Sequence, residues 1–216
     1  MSRLLDPAWI VHSASDLLVL NKPHGLLCQP GLGPELADSL ISRVQIHWPE
    51  AQLVHRLDRD TSGLILVALT AELHRAMSRL FAERRVIKRY VADVHGVPRE
   101  PQGLIELPIA KRQHRPPLYG VDPAGKACGT RWRLLQTSGQ FSRLELEPLT
   151  GRSHQLRVHL EAIGHPILGD PLYGPAVSHG TAARLHLHAA ALNWRHPGSG
   201  QLLAFEAVTP FMLPSL

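Results

Sequence analysis

The apolar positions along this chain change their spacing from segment to segment, and each change marks an element. Leu64-Ile65-Leu66-Val67-Ala68-Leu69 is an unbroken apolar run without alternation, which predicts a strand buried on both faces. Residues 16–20, Asp-Leu-Leu-Val-Leu, predict a short strand before it. Helical spacing of Leu36, Leu40, Ile41 and Val44 predicts a helix over about 36–46. The same spacing of Leu73, Met77, Leu80 and Phe81 predicts a helix over 71–85, with Thr70 as its N-cap. Residues 86–94 alternate as a strand does, with Lys88, Tyr90, Ala92 and Val94 on one face and Ile87, Arg89, Val91 and Asp93 on the other.

Residues 96–126, rich in glycine, proline and charge, read as edge strands and loops, because strand patterns continue on both sides. Segments 130–136 and 141–147 flank Ser138-Gly139 and form a hairpin. A helix over 154–163 follows, capped by Ser153 and stopped by Gly164 and Pro166, with Leu156, Leu160 and Ile163 facing the core. His154, Arg157 and Glu161 share the adjoining face; an arginine beside an apolar stripe is costly to bury unless a carboxylate or phosphate pairs with it. Residues 165–174 are a loop, and 185–192 a last core strand with His186 and His188 on one face.

Polar chemistry gathers at the ends of these elements. Before the buried run stands Val54-His55-Arg56-Leu57-Asp58-Arg59-Asp60-Thr61-Ser62-Gly63, in which Asp58 sits among three cationic or potentially cationic neighbours at the mouth of a rigid strand. On composition alone a solvated surface turn is the simpler reading. Asn21-Lys22-Pro23-His24-Gly25 is a sharp turn in which Lys22 contacts a phosphate or faces water. From Arg75 to Arg89 six basic residues face one acid, Glu83, a density suited to tracking phosphates. Tyr90 reads as a core aromatic or as a platform for a base. Gly120 to Ala127 nearly fits a phosphate-binding loop, but Ala127 has no hydroxyl and a strand pattern follows, so a hairpin turn fits better.

Composition narrows the classes. Apolar content of 44% and charge of 19% describe a globular protein with a full core, so bulk disorder is excluded. A net charge of +5 and pI ≈ 9.7 favour a polyanionic partner. Cys28 and Cys128 stand apart, which points to a reducing compartment and not to a disulfide framework. The N-terminus lacks a signal-peptide pattern and the longest apolar run is far below the ~20 residues of a membrane span, so a cytoplasmic protein is expected. His154 and His159 fall on different helix faces and HExxH is absent, against a zinc hydrolase; GxSxG is absent, against a serine hydrolase.

Asn21-Lys22-Pro23-x-Gly25, HRLDRDTSGLILVAL (55–69), Lys88-x-Tyr90, TGRSHQLRVHL (150–160) and HPILGDPLYG (165–174) occur in this order. Together they resemble the RluA family of RNA pseudouridine synthases, over about residues 9–210. The resemblance implies one catalytic domain over 1–216, with no added S4-type RNA-binding domain. It implies an α+β fold: a mixed, mainly antiparallel central sheet flanked by helices and loops, with a catalytic cleft across it. It implies no cofactor and no metal, a structured RNA substrate (ribosomal RNA, a transfer RNA anticodon arm, or both), and a monomer without an obligate protein partner. Asp58 matches the essential aspartate, Tyr90 the tyrosine that stacks on the target base, Arg157 the arginine that pairs with the aspartate, and Arg56 the residue that fills the gap left by the flipped base. Lys22, His24, Arg59, Arg84, Arg85, Lys88, Lys111 and Arg112 are then expected RNA contacts that position without specifying.

The chemistry suits these roles. Pseudouridylation detaches uracil from C1′ and rejoins it through C5, so the nucleotide must first leave its stack. An aromatic platform returns ~1–3 kcal/mol per stacked base against that cost. Whether the aspartate attacks or removes a sugar proton, it must be ionised, and a partner arginine favours that form and fixes its orientation. A non-catalytic RNA-binding protein would need the basic face and Tyr90 but not Asp58 together with Arg157.

Overall fold

The first buried strand begins at Leu17, and the elements follow the apolar pattern closely. The computed structural model describes residues 4–114, 117–174 and 182–214. These group into two compact units, one running to Ile87 and including Ala189–Val208, the other formed by Lys88–His188 and the segment from Thr209.

In the first unit, β1 (Ile10–Ser13) pairs antiparallel with β2 (Leu17–Lys22), and β2 with β4 (Ser62–Ala68). Every residue of β4 is buried, as its unalternating pattern requires. The two-residue β3 (Gln52–Leu53) also pairs with β4. The helix expected over 36–46 is shorter: α1 spans Leu40–Val44, preceded by a 3-10 turn at Pro34–Leu36. Ser39 and Ser42 form a reciprocal capping box that sets its start, and the Leu40 and Ile41 amides donate to the Leu27 and Cys28 carbonyls. Helix α2 (Ala71–Ala82) is capped by the Thr70 hydroxyl, as predicted, and buries Leu73, Met77 and Leu80 against Leu64, Leu66 and Trp194. It stops three residues before the expected end. Arg84 takes a left-handed φ of 58°, and the Arg84 and Arg85 amides return to the Phe81 and Leu80 carbonyls. That bond pattern is a helix-terminating Schellman motif in which arginine stands where glycine is usual.

The second unit carries β5 (Ile87–His95, from Lys88), β6 (Gln102–Ile105), β7 (Ile109–His114), β8 (Pro117–Val121), β9 (Thr130–Ser138) and β10 (Phe141–Pro148). The sheet runs β5-β10-β9-β6 with antiparallel pairing throughout, and β7-β8 form a separate hairpin. The turn expected in place of a phosphate loop is present: the Gly125 amide donates to the Asp122 carbonyl. Helix α3 (Gln155–Ala162) is not capped by Ser153; its N-cap is His154, in the left-handed region at φ 55°. The final strands are β11 (Leu187–Arg195) and β12 (Leu202–Glu206), which pair antiparallel within the first unit. β11 thus begins two residues later than expected and leaves His186 outside it. His186 instead accompanies Arg143 around the buried Asp93, which receives Arg143 through two bonds of 2.7 and 2.9 Å and lies 3.0 Å from His186 Nδ1.

Two glycines answer to close approach. A side chain at Gly63, whose φ is +115°, would meet the Ala189 backbone at 2.4 Å, and one at Gly169, φ +67°, would meet the Arg184 carbonyl oxygen at 1.9 Å. Among the described residues no helix is long and apolar enough to cross a membrane.

His159 on α3 is fully buried, its Nδ1 2.9 Å from the Thr130 hydroxyl and its Nε2 2.9 Å from the Leu107 carbonyl. Burial pushes its pKa below the usual 6.5, against a smaller upward pull from the Leu107 bond. The unfolded chain therefore takes up a proton below about pH 6.5 that the native ring resists. Its contribution to stability is complete above that pH and is lost as pH falls through the native value. Urea midpoints are expected to drop between pH 7.5 and 5.5, with a smaller drop in His159→Gln.

Candidate active site

The loop that carries Asp58 is fastened on both sides of that residue. Lys22, at the end of β2, is 0% exposed, and its Nζ donates to the carbonyls of Pro23 (2.8 Å), Leu26 (2.8 Å) and Arg59 (2.9 Å). The Cys28 thiol donates to the Leu57 carbonyl at 3.2 Å and accepts the Leu57 amide at 3.3 Å. Burial pushes the Cys28 thiol above its usual 9.0, so it keeps the proton that this two-way bond needs. Arg59 Nε closes the set on the Gly25 carbonyl at 3.2 Å. The 22–28 turn therefore holds residues 57 and 59 directly, and Asp58 lies between them, half-buried, its carbonyl accepting the Thr61 amide at 3.2 Å.

This corrects the reading of Lys22 as an RNA contact: its ammonium is enclosed by backbone carbonyls and does not face solvent. His55 also has a structural task. Its Nε2 accepts the Leu66 amide at 3.0 Å, and its ring stacks on Phe81 at 4.7 Å. The remaining expected RNA contacts of this unit, His24, Arg56, Arg59, Arg84 and Arg85, are exposed.

In the second unit Tyr90 lies on β5 opposite Leu146, 9% exposed, on the same inward face as Ala92 and Val94. Arg157 is 3% exposed on α3. Its Nε and Nη2 grip both oxygens of Asp170 at 2.7 and 2.6 Å, a planar two-point pair that meets the requirement for burying an arginine. Asp170 Oδ1 also accepts the Leu172 and Tyr173 amides at 2.9 and 3.1 Å, folding the loop back on itself. Sequence reasoning asked for a carboxylate or phosphate beside Arg157, and the resemblance named Asp58; neither singled out Asp170. The signal was the carboxylate of Gly169-Asp170-Pro171, a few residues past the stop of the same helix.

Most of the TGRSHQLRVH segment fastens the backbone. Gln155 satisfies its whole amide: Oε1 accepts from the Thr150 hydroxyl (2.7 Å) and the Arg152 amide (3.0 Å), while Nε2 donates to the Gly129 carbonyl (2.9 Å) and Thr130 Oγ1 (3.0 Å). Lys111 and Arg112 stand exposed on the β7-β8 hairpin, and Lys88 is half-buried. Among the described residues no three His, Cys, Asp or Glu side chains converge as metal ligands do.

A family model described as RNA pseudouridylate synthase matches residues 16–162. The chain is 43% identical over 204 residues to the dual-specificity RNA pseudouridine synthase RluA of Escherichia coli (strain K12), covering 94% of this chain and 93% of that one. It is equally 43% identical to the protein of that name from Yersinia pestis, with 94% and 99% covered. Among solved structures it is similar to human RNA Pseudouridylate Synthase Domain Containing 1, with a TM-score of 0.80, 31% identity, and 94% and 84% coverage. Human RNA Pseudouridylate Synthase Domain Containing 4 gives a TM-score of 0.76 at 25% identity, with 94% and 89% covered. These likenesses bear out the expected α+β pseudouridine synthase fold.

Replacing Lys22 by Met would strand buried carbonyls that the ammonium now satisfies, each worth about 1–3 kcal/mol. Urea denaturation of Lys22→Met should show a loss of at least about 2 kcal/mol, while Arg56→Ala, on the same loop but exposed, should leave the midpoint unchanged.

Proposed function

The chain belongs to the RNA pseudouridylate synthase family, in its RluA branch, and from that premise we propose which RNA it modifies and which side chains act. The activity is the isomerisation of uridine in RNA to pseudouridine. The proposed targets are a large-subunit ribosomal RNA hairpin and a transfer RNA anticodon arm. The observation that carries this is identity of 43% across nearly the full length of relatives named dual-specificity enzymes. The proposal includes action as a monomeric, cytoplasmic, single-domain enzyme without cofactor.

Asp58 is the proposed acting carboxylate, meeting the ribose of the flipped nucleotide. Its support is local: with residues 57 and 59 both clasped, a carboxylate between them is preorganised, and positioned groups act without reorganising during the reaction. The N1–C1′ bond breaks, the uracil turns, C5 bonds to C1′, and the C5 proton leaves while N1 gains one. Tyr90 is the proposed stacking partner of the base, and Arg157 the proposed partner of Asp58, with Asp170 fixing the orientation of the arginine. Arg56 is the proposed wedge in the vacated stack. His24, Arg59, Arg84, Arg85, Lys88, Lys111 and Arg112 are proposed phosphate contacts; RNA of this kind is recognised largely by shape and loop contacts, which such residues serve. Arg84 has independent support. An exposed arginine held at a position where glycine would be unstrained is a departure from local optimum that function can explain.

Release of tritium from 5-tritiated uridine in transcripts of both RNAs tests the reaction. Wild type should release label from each, and Asp58→Asn should be slower by at least about 100-fold, as for loss of a positioned acid–base or nucleophilic group. Release from neither transcript, or full release by Asp58→Asn, would sink the assignment. Arg84→Gly should raise stability by up to about 1 kcal/mol by relieving the left-handed strain. The same variant should lower RNA affinity and reduce the slope of log affinity against log salt by about one.

A further inference from the structure

Three rings meet where the β7-β8 hairpin touches the start of α3. Tyr119 on β8 and His154 approach edge to face at 5.1 Å, and His154 and Tyr173 do so at 5.6 Å. The Tyr173 hydroxyl is the hub. It accepts the Tyr119 amide at 3.0 Å and lies 2.7 Å from His154 Nδ1. With its oxygen taking the amide proton, its own proton is available to His154 Nδ1. His154 is also the left-handed residue that opens α3, three positions before Arg157. The other end of Tyr173 reaches the same arginine. Its ring lies 5.0 Å from the Arg157 guanidinium carbon, and its amide donates to Asp170, the carboxylate that grips Arg157.

One side chain therefore joins the backbone of a basic hairpin to both the strained entry of α3 and the arginine's own clamp. The hairpin presents Lys111 and Arg112 on an exposed surface suited to a phosphate backbone. We propose that Tyr173 is a positioning residue for the reaction, its hydroxyl transmitting the position of the RNA-contacting hairpin to Arg157 through His154. This rests on the functional reading above. Tyr173 acts through Arg157 and is assigned no contact with the reacting atoms. A bond that only held the fold would affect stability; one that positions a reacting group affects the rate with RNA already bound.

Tyr173→Phe keeps the ring against Arg157 and removes only the hydroxyl. With saturating anticodon-arm transcript, the single-turnover rate should fall by about 10- to 100-fold, the size expected of a small misplacement, while the RNA dissociation constant stays within about twofold. His154→Gly relieves the left-handed backbone and deletes the acceptor. It should show the same rate loss, and the double variant should be no slower than either alone. An unchanged saturating rate, a loss explained wholly by weaker RNA binding, or additive losses would overturn the proposal. If Tyr173→Phe fails to fold, the rate in His154→Gly decides. Amide hydrogen exchange at residues 155–158 separates this from failure of the reading beneath it. Adding the transcript should slow exchange in wild type and not in Tyr173→Phe, whether or not tritium is released; equal slowing in both, or slowing in neither, counts against Tyr173.

Discussion

A buried lysine among backbone carbonyls is the constraint on which the first unit's chemistry depends. An ammonium is expensive to remove from water, and Lys22 offsets that cost by giving its protons to Pro23, Leu26 and Arg59. Two of those carbonyls belong to its own turn and the third to the loop of Asp58. The bond network therefore forms only when the two loops are in register. Cys28 repeats the logic one residue before Asp58, with a thiol that burial keeps protonated. Gly63 then lets β4 lie against Ala189, where any side chain would collide. Rigidity at Asp58 comes from these three devices together.

The second unit solves a different problem, burying a connected set of polar groups around α3 with their hydrogen bonds made. Gln155, His159, Thr130 and Thr150 exchange hydrogen bonds so that each donor finds an acceptor in one neutral histidine tautomer. Arg157 and Asp170 neutralise each other in the interior, and Arg143 does the same for Asp93 across the β5-β10 ladder. Such networks contribute less to net stability than to specifying one arrangement, because any slip leaves a buried group unpaired. The strained φ of His154 is tolerated inside this surround.

In each unit the polar and charged residues divide into fasteners and exposed side chains. Lys22, His55 and Asp170 are fasteners, buried or bonded to backbone. Arg56, Arg84, Arg85, Lys111 and Arg112 are exposed, with Arg85 paired to Glu83 and Arg112 donating to the Val121 carbonyl. Exposed basic side chains on rigid elements suit the proposed RNA contacts, since contacts to phosphates position without specifying and leave selection to shape and loops.

The pattern of apolar residues was enough to determine the buried β4, the amphipathic α2 with Thr70 at its cap, the β9-β10 hairpin, and the need for an anionic partner beside Arg157. Each of these depends on spacing within a few residues, and spacing is written in the chain. Motif resemblance added the family and the roles proposed for Asp58, Tyr90 and Arg157, which local physics left ambiguous. What only the tertiary structure decided are the partners: Lys22 turned inward, Cys28 bound to Leu57, Asp170 rather than another acid on Arg157, His154 rather than Ser153 opening α3, and His186 drawn to Asp93. Their physical reason is common. A polar side chain's solvation energy depends on which carbonyl or carboxylate the fold brings within about 3 Å, and residues separated by tens of positions reach that distance only once the chain has folded.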